Sequence, residues 1–310
     1  MESRPTHLLS SYYAPRGAHR MYALGQQIAQ IYLNPTDKLI GIIGEAGSGK
    51  SALIRGMFPG LELTNDDNGV YIRPLPILEQ DRSFAFFSPH TYHLDIRFEN
   101  GFAQMGELAD AISEALNKGR RVVVEHFDLI YPVLGANANL LIGVGEQVLV
   151  ARPNVFGPEP EEIKEAVYSS LPYRLMAHTA EDICGMFIDD EDNERCGHAD
   201  LRHGFCITFP ETAPNINIPE LEQKVNDIIA QDLPVTYVDD HHISIGDSVQ
   251  LCDGPRVHVH RTSQIENFRL MNHFIYDRFH KRYMLVGCVG EKSDELLEKL
   301  DNRRQMPGWE

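Results

Sequence analysis

Residues 44–51 read Gly44-Glu45-Ala46-Gly47-Ser48-Gly49-Lys50-Ser51. Glycines at this density let successive backbone N–H groups converge on one point, and Lys50 adds a mobile positive charge, so the stretch is suited to phosphate oxygens. All eight residues are expected to line a site for ATP or GTP, with the Ser51 hydroxyl on Mg²⁺. A glycine-rich turn without ligand is the bland alternative. Residues 121–128 then place two carboxylates, Glu125 and Asp128, after three consecutive valines. Both compete for the strand-end role of holding a metal-bound water, and Glu125 leaves the strand first. Asp66 and Asp67, in the turn cluster at 65–69, either accept a proton from an acceptor hydroxyl, help bind metal, or are solvated turn residues. Lys50, Glu125 and Asp67 form the candidate catalytic set, and Asp128 joins the nucleotide contacts. His90, His93 and Asp95 read as a surface loop with ordinary histidines, metal or acceptor binding being the alternative.

The second concentration of chemistry lies beyond residue 160, where nine of the 14 histidines and all five cysteines fall. Such clustering asks for a metal. His178 and Asp182, four apart on a predicted helix, project from one face and can grip the same ion. Cys252, His258 and His260 supply a thiolate and two imidazoles around a turn, the histidines sharing a face if 257–259 is a strand. On the same alternation, His198 and Asp200 face one way and His203 the other. An odd number of cysteines in a chain without a basic, apolar leader points to reduced thiols or metal ligation and to a cytoplasmic location.

These residues need elements to hold them. The apolar run at 38–43 enters the glycine loop as a strand, and a short helix leaves it, stopped by Gly56 and Pro59-Gly60. Extended segments at 70–78 and 83–87, a helix over 104–116, a buried strand over 121–125 and apolar runs at 139–144 and 147–151 continue an alternating β and α pattern. Residues 157–162, rich in turn formers and charge, read as the domain boundary. Helices over 161–170 and 173–187, separated by Pro172, a strand near 206–209, a helix over 219–231 and strands at 235–238, 242–245, 257–259 and 284–289 make the second half α+β. The organisation expected is an N-terminal helical segment over 1–36, a nucleotide-binding domain over 37–156, a second domain over 160–292 and a tail over 293–310.

The first half resembles small P-loop kinases of the uridine kinase type, on Asp66, Asp67, Tyr71 and the Val-Val-Val-Glu strand end at 122–125. That resemblance implies a nucleoside or small-molecule kinase, although no arginine-rich lid follows Glu125. The second half resembles the second additional, or editing, domain of threonyl- and alanyl-tRNA synthetases. That family carries a helical His-x-x-x-His and a later Cys-x-x-x-His. Here the chain reads His178-Thr179-Ala180-Glu181-Asp182 and Cys252-Asp253-Gly254-Pro255, with Arg256-Val257 inserted before His258-Val259-His260. The resemblance implies zinc on His178, Asp182, Cys252 and His258, with His260 as the alternative to His258. It also implies hydrolysis of tRNA carrying the wrong amino acid.

Together these readings predict an α/β P-loop NTPase domain followed by an α+β synthetase-editing-like domain. ATP or GTP with Mg²⁺ and Zn²⁺ are the expected cofactors, and the acceptor end of tRNA or an aminoacyl ester is the expected partner. No synthetase core fits in 310 residues. Nucleotide-gated action on an aminoacyl ester competes with a small-molecule kinase and with a nucleotide-switched binding module. Composition narrows the field. Hydrophobic residues make up 43% and charged residues 24%, which supports a packed core and excludes disorder. No run approaches the roughly 20 apolar residues of a membrane helix. A net charge of −17 opposes broad attraction to nucleic acid, so any RNA contact must be local; residues 1–60, with six basic and three acidic side chains, carry +3.

Overall fold

The structure, a computed structural model, describes residues 9–64 and 91–304. Asp66, Asp67, Tyr71, His90 and the segments 70–78 and 83–87 lie outside the described residues. Two compact units emerge: residues 18–169 with those before Pro15, and residues from Ser170 onward with Pro15–Gly17.

In the first unit the order is β1 (Leu9–Tyr13), α1 (Ala18–Tyr32), β2 (Leu39–Gly44), α2 (Lys50–Met57), β3 (Thr91–Asp95), α3 (Ile96–Glu99), α4 (Met105–Asn117), β4 (Arg121–Glu125), α5 (Phe127–Leu134), β5 (Leu140–Val144), β6 (Gln147–Ala151) and the start of α6 (Pro160–Gly185). The strands form one sheet in the order β1-β6-β5-β2-β4-β3. Strands β3, β4, β2 and β5 run parallel, and β6 and β1 add antiparallel. The apolar run at 147–151 therefore returns as a hairpin from β5 rather than through a helix, because only two residues separate the strands and a parallel crossover needs a dozen or more.

Helices cover both faces, as a parallel sheet demands. Met21, Leu24 and Ile28 of α1 and Leu53 and Ile54 of α2 pack on Ile40, Ile42, Val123 and Ile142. Leu108 and Ile112 of α4, Phe127 and Ile130 of α5, and Ile163 and Val167 of α6 cover Ile43, Leu94, Val122, Val124 and Leu141. Strand β2 is buried over its whole length, which is why it reads as an unbroken apolar run without alternation. The segment 1–36 is not helical throughout: it contributes the edge strand β1 as well as α1. Residues 91–95, expected as a surface loop, form a buried strand beside β4.

Helices α1 and α2 approach closely because neither carries a side chain at the crossing. A Cβ on Gly56 would meet the Tyr22 carbonyl oxygen at 2.0 Å, and one on Gly25 would meet that of Leu53 at 2.2 Å.

The second unit contains the rest of α6, then α7 (Asp190–Arg195), β7 (Gly197–Leu201), β8 (Gly204–Pro210), α8 (Ile218–Ala230), β9 (Val235–Asp239), β10 (His242–Ile245), β11 (Ser248–Leu251), β12 (Arg269–Leu270), β13 (Ile275–Asp277), β14 (Arg282–Cys288) and α9 (Ser293–Arg304). One antiparallel sheet runs β12-β14-β8-β7 with β13 on β14, and a second runs β11-β10-β9. Met176, Ala177, Ala180, Ile183 and Cys184 of α6 bury against Phe205, Ile207 and Phe209 of β8. Pro172 sits inside α6 and does not end it. The apolar positions on either side of Pro172 are anchored in packed cores, which offsets the roughly 3 kcal/mol that an interior proline costs a helix. The division between units accordingly falls within α6, beyond the 157–162 stretch where the sequence placed it. Residues 257–259 form no strand.

The helix crossing yields a test. Gly56→Ala will destabilise the protein by about 1–3 kcal/mol in denaturant titration, through forced separation of α1 and α2. Gly106→Ala, in α4 with nothing within 4 Å of its would-be Cβ among the described residues, will be neutral or stabilising by up to ~1 kcal/mol.

Candidate functional site

The first candidate site sits at the carboxyl end of β2. The chain order reverses there, since β4 and β3 lie to one side and β5 to the other. Open α/β sheets bind ligands at this switch point, in the crevice outside the strand ends. Gly49, with φ of 98°, occupies the left-handed region that glycine adopts without strain and precedes the first residue of α2. Lys50 is buried, and its Nζ donates to the Glu45 carbonyl at 2.8 Å and lies 3.6 Å from Glu125 Oε2. Ser51 follows in the first turn of α2, partly buried.

A chain of hydrogen bonds fixes Glu125. The Thr64 amide donates to His93 Nδ1 at 3.1 Å, so the proton of His93 resides on Nε2, which donates to Glu125 Oε1 at 3.0 Å. Burial alone would push the Glu125 carboxyl up. The His93 hydrogen bond and the Lys50 charge outweigh it and hold Glu125 below the usual carboxylate range. Asp95, at the end of β3, accepts from the Phe98 amide at 3.3 Å and caps α3. His126 has φ of 55°, uncommon for a residue with a side chain, and its imidazole is held below the ordinary histidine range by burial and by Lys50 and Arg97. Asp95, Glu125 and His126, all buried, each offer one ligand atom within 4.8 Å of the others. The two strand-end carboxylates are oxygen donors of the kind a hard divalent cation takes, whereas an imidazole suits a transition metal; His126 Nδ1 is buried without a hydrogen-bond partner among the described residues. Asp95 and Glu125 are the members of this cluster that fit Mg²⁺.

Asp128 pairs with Lys164 Nζ at 3.3 Å, and its charge also acts on Arg97 and Tyr168 beside the loop. Sequence reasoning missed His126 and Arg97. Arg97 of α3 lies against Glu45 of the loop, Nη1 to Oε2 at 3.3 Å, and supplies an exposed guanidinium at the mouth. The only sequence signal for either is adjacency to the strand ends.

The second candidate site lies within the second unit. Asp182, Cys252 and His258 converge, with one ligand atom of each within 4.8 Å of the others. Asp182 projects from α6. The Cys252 amide donates to the His241 carbonyl at 2.8 Å, Val257 closes a turn on Gly254, and the Val259 amide donates to Thr179 Oγ1 at 3.1 Å. These bonds hold His258 inward with Nε2 at 2.8 Å from Asp182 Oδ2. The inserted Arg256-Val257 is absorbed as Val257 tucks into the core and Arg256 stacks on Tyr237. His260 is exposed, so the two histidines do not share a face: the backbone between them is irregular.

His178 does not join the group. Its Nε2 lies 3.2 Å from Asp200 Oδ1, and burial, with Arg16 and Arg174 nearby, lowers its pKa to about 4. His198 lies 2.8 Å from Glu181 Oε1, so β7 turns His198 and Asp200 toward the helix as alternation requires, while His203 stacks on Tyr173 at 3.8 Å between ring centroids. Hydrogen bonds to Cys196 and Glu181 raise His198 to about 10.

Sequence reasoning missed Arg16. Its guanidinium, 4% exposed, lies on the very groups expected to hold metal. Nη2 donates to Asp182 Oδ1 and to Cys252 Sγ at 3.0 Å, and Nη1 donates to Glu181 Oε2 at 2.8 Å. Burial raises the Cys252 thiol to about 11, with the Asp182 charge adding to the effect. Burial opposes ionisation of Asp182, but the Arg16 charge and the His258 hydrogen bond hold it well below the carboxylate range.

The donor types are those that zinc takes. The carboxylate and the sulfur are already hydrogen-bonded to a cation, however, His258 Nε2 is engaged with Asp182, and His178 is engaged with Asp200. With Arg16 in place the set does not fit zinc.

Residues 242–294 match the family model of the threonyl and alanyl tRNA synthetase second additional domain. The second additional domain match runs from β10 into the start of α9 and contains Cys252, His258 and His260, whereas His178 and Asp182 precede it. No curated protein matches the chain. No helix among the described residues is long and apolar enough to cross a membrane.

The buried His178 sets a pH dependence. Its folded pKa lies below the unfolded value near 6.5, so the unfolded chain binds more protons between the two. Its contribution to stability is complete above about pH 6.5 and is lost as pH falls toward about 4. His178→Gln, which keeps a donor for Asp200, will lose on the order of 2 kcal/mol less between those limits in pH-dependent unfolding.

Proposed function

We propose that the chain is a nucleoside-triphosphate-dependent enzyme whose second unit recognises the aminoacylated end of tRNA or a related aminoacyl ester. The observation carrying the first part is the glycine loop at the switch point of a parallel sheet, with Lys50 beside the buried Glu125. In this reading the triphosphate lies along residues 44–51, against backbone N–H groups and the positive end of α2. Lys50 exchanges its Glu45 contact for phosphate oxygens. Mg²⁺, held by Ser51 and by Glu125 or Asp95, would neutralise charge on the phosphates.

His93 keeps Glu125 ionised and oriented. Arg97 stands at the loop's edge, where release from Glu45 would let it meet the terminal phosphate, the task of an arginine in phosphoryl transfer. The density of buried acid and imidazole groups beyond what phosphate binding requires favours turnover over a binding switch. The second part rests on the second additional domain match over residues 242–294. A net charge of −17 limits RNA contact to a small area, as expected for a module that reads only an acceptor end.

Calorimetric titration of the full chain with MgATP and MgGTP tests the nucleotide reading. Lys50→Ala will weaken binding by about 100-fold, ~2.7 kcal/mol. Glu125→Gln will bind within a few-fold of wild type while phosphate release falls by roughly 100-fold or more. Unchanged affinity in Lys50→Ala would overturn the assignment.

A further inference from the structure

Arg16 comes from the short loop between β1 and α1, a stretch whose sequence carries no sign of metal chemistry. Several features seat it. Arg174 Nη2 donates to the Pro15 carbonyl at 3.1 Å, fixing the residue before it. Gly17 has φ of 85°, and its would-be Cβ lies 3.1 Å from the Asp253 carbonyl oxygen. A Cβ on Gly254 would lie 3.1 Å from Arg16 Cγ and 3.2 Å from the Gly17 amide. The loop therefore runs directly over the Cys252-Asp253-Gly254 turn, with glycine at both contact points. A buried guanidinium must have its donors met by acceptors and its charge met by anions. Glu181, Asp182 and Cys252 do both, and the two carboxylates are themselves buried, with side chains 3% and 10% exposed.

We propose that Arg16 is the resident cation of this pocket: its guanidinium takes the place of a metal ion between Asp182 and Cys252, the second unit holds its structure without metal, and removing the guanidinium converts Asp182, Cys252 and His258 into a transition-metal site. The inference is independent of the nucleotide reading and of what the second unit recognises. Geometry supports mutual exclusion. One cation already lies within hydrogen-bond reach of two of the three donors, and a divalent ion among the same atoms would sit against the guanidinium with like-charge repulsion at low dielectric. Zinc and cobalt bind the sulfur as thiolate, and that sulfur already has a resident cation, Arg16 Nη2, at 3.0 Å. With the guanidinium gone, the carboxylate, the sulfur and the imidazole remain as three protein ligands, the number that leaves a position open on a tetrahedral ion.

Cobalt titration of the full chain, read by the thiolate-to-metal charge-transfer absorption in the near ultraviolet, separates the outcomes without recourse to activity. Wild-type protein will show no charge-transfer band, and a chelator will not shift its thermal unfolding. Arg16→Met will develop the band to about one equivalent, and Arg16→Met combined with Cys252→Ser will lose it. If Arg16→Met is unfolded alone, cobalt or zinc will restore its fold, because ligands that bind only the native state stabilise it. A Cys252-dependent band in wild type, or destabilisation of wild type by chelator, would overturn the proposal. So would Arg16→Met that neither binds cobalt when folded nor recovers its fold with metal.

Discussion

Taking a cation out of water is tolerable only where anions and lone pairs converge to replace the lost hydration. Both candidate sites of this chain answer that constraint. Lys50 and Arg16 are each about 95% removed from solvent, one beside Glu125 and the Glu45 carbonyl, the other among Glu181, Asp182 and Cys252. Their partners differ in what they leave available. Lys50 is an ammonium on a flexible stem, held by one carbonyl and a carboxylate more than 3.5 Å away, and the proposed function has it turn to a phosphate. Arg16 is a planar fork with three side-chain acceptors, on Glu181, Asp182 and Cys252, and the His178 carbonyl as a fourth, a geometry that fills its pocket rather than inviting exchange.

From that difference follow different chemical prospects. The first site gathers a glycine loop, a histidine whose tautomer is fixed by the Thr64 amide, two strand-end carboxylates and an arginine at the rim, the groups on which the proposed binding and turnover rest. The second retains the donor types of its family resemblance but spends them internally. Asp182 answers both Arg16 and His258, and His178 answers Asp200. The match to the second additional domain covers residues 242–294 and so describes the half of the pocket that carries Cys252 and His258, not the half that carries Arg16.

Legibility in the sequence tracked how local each signal was. The glycine loop and the strand and helix around it are contiguous, and residues 121–125 announce a buried strand through three valines; both could be read directly. Residues 91–95 misled because Thr91, His93 and Asp95 are polar, and their burial is licensed by Thr64 and Glu125, distant in sequence. Asp128 competes with Glu125 on paper; it enters the first turn of α5 and pairs with Lys164, a partner that the sequence does not announce. His258 and His260 share a face only if the segment is a strand, and the inserted pair with its turn at Gly254 removes that premise. Arg16 was illegible as a site residue because its acceptors lie more than 160 positions away.

The central claim, that one buried cation yields to phosphate while the other occupies a metal's place, can be put to a single crystal of the full chain. It would be grown with Mg²⁺, a non-hydrolysable ATP analogue and a modest excess of zinc, with data collected across the zinc absorption edge. The account predicts triphosphate density along residues 44–51 with Lys50 on its oxygens, and no anomalous peak among Asp182, Cys252 and His258, where the Arg16 guanidinium remains. An anomalous peak bonded to Cys252 with Arg16 displaced, or a triphosphate bound away from the glycine loop, would contradict it.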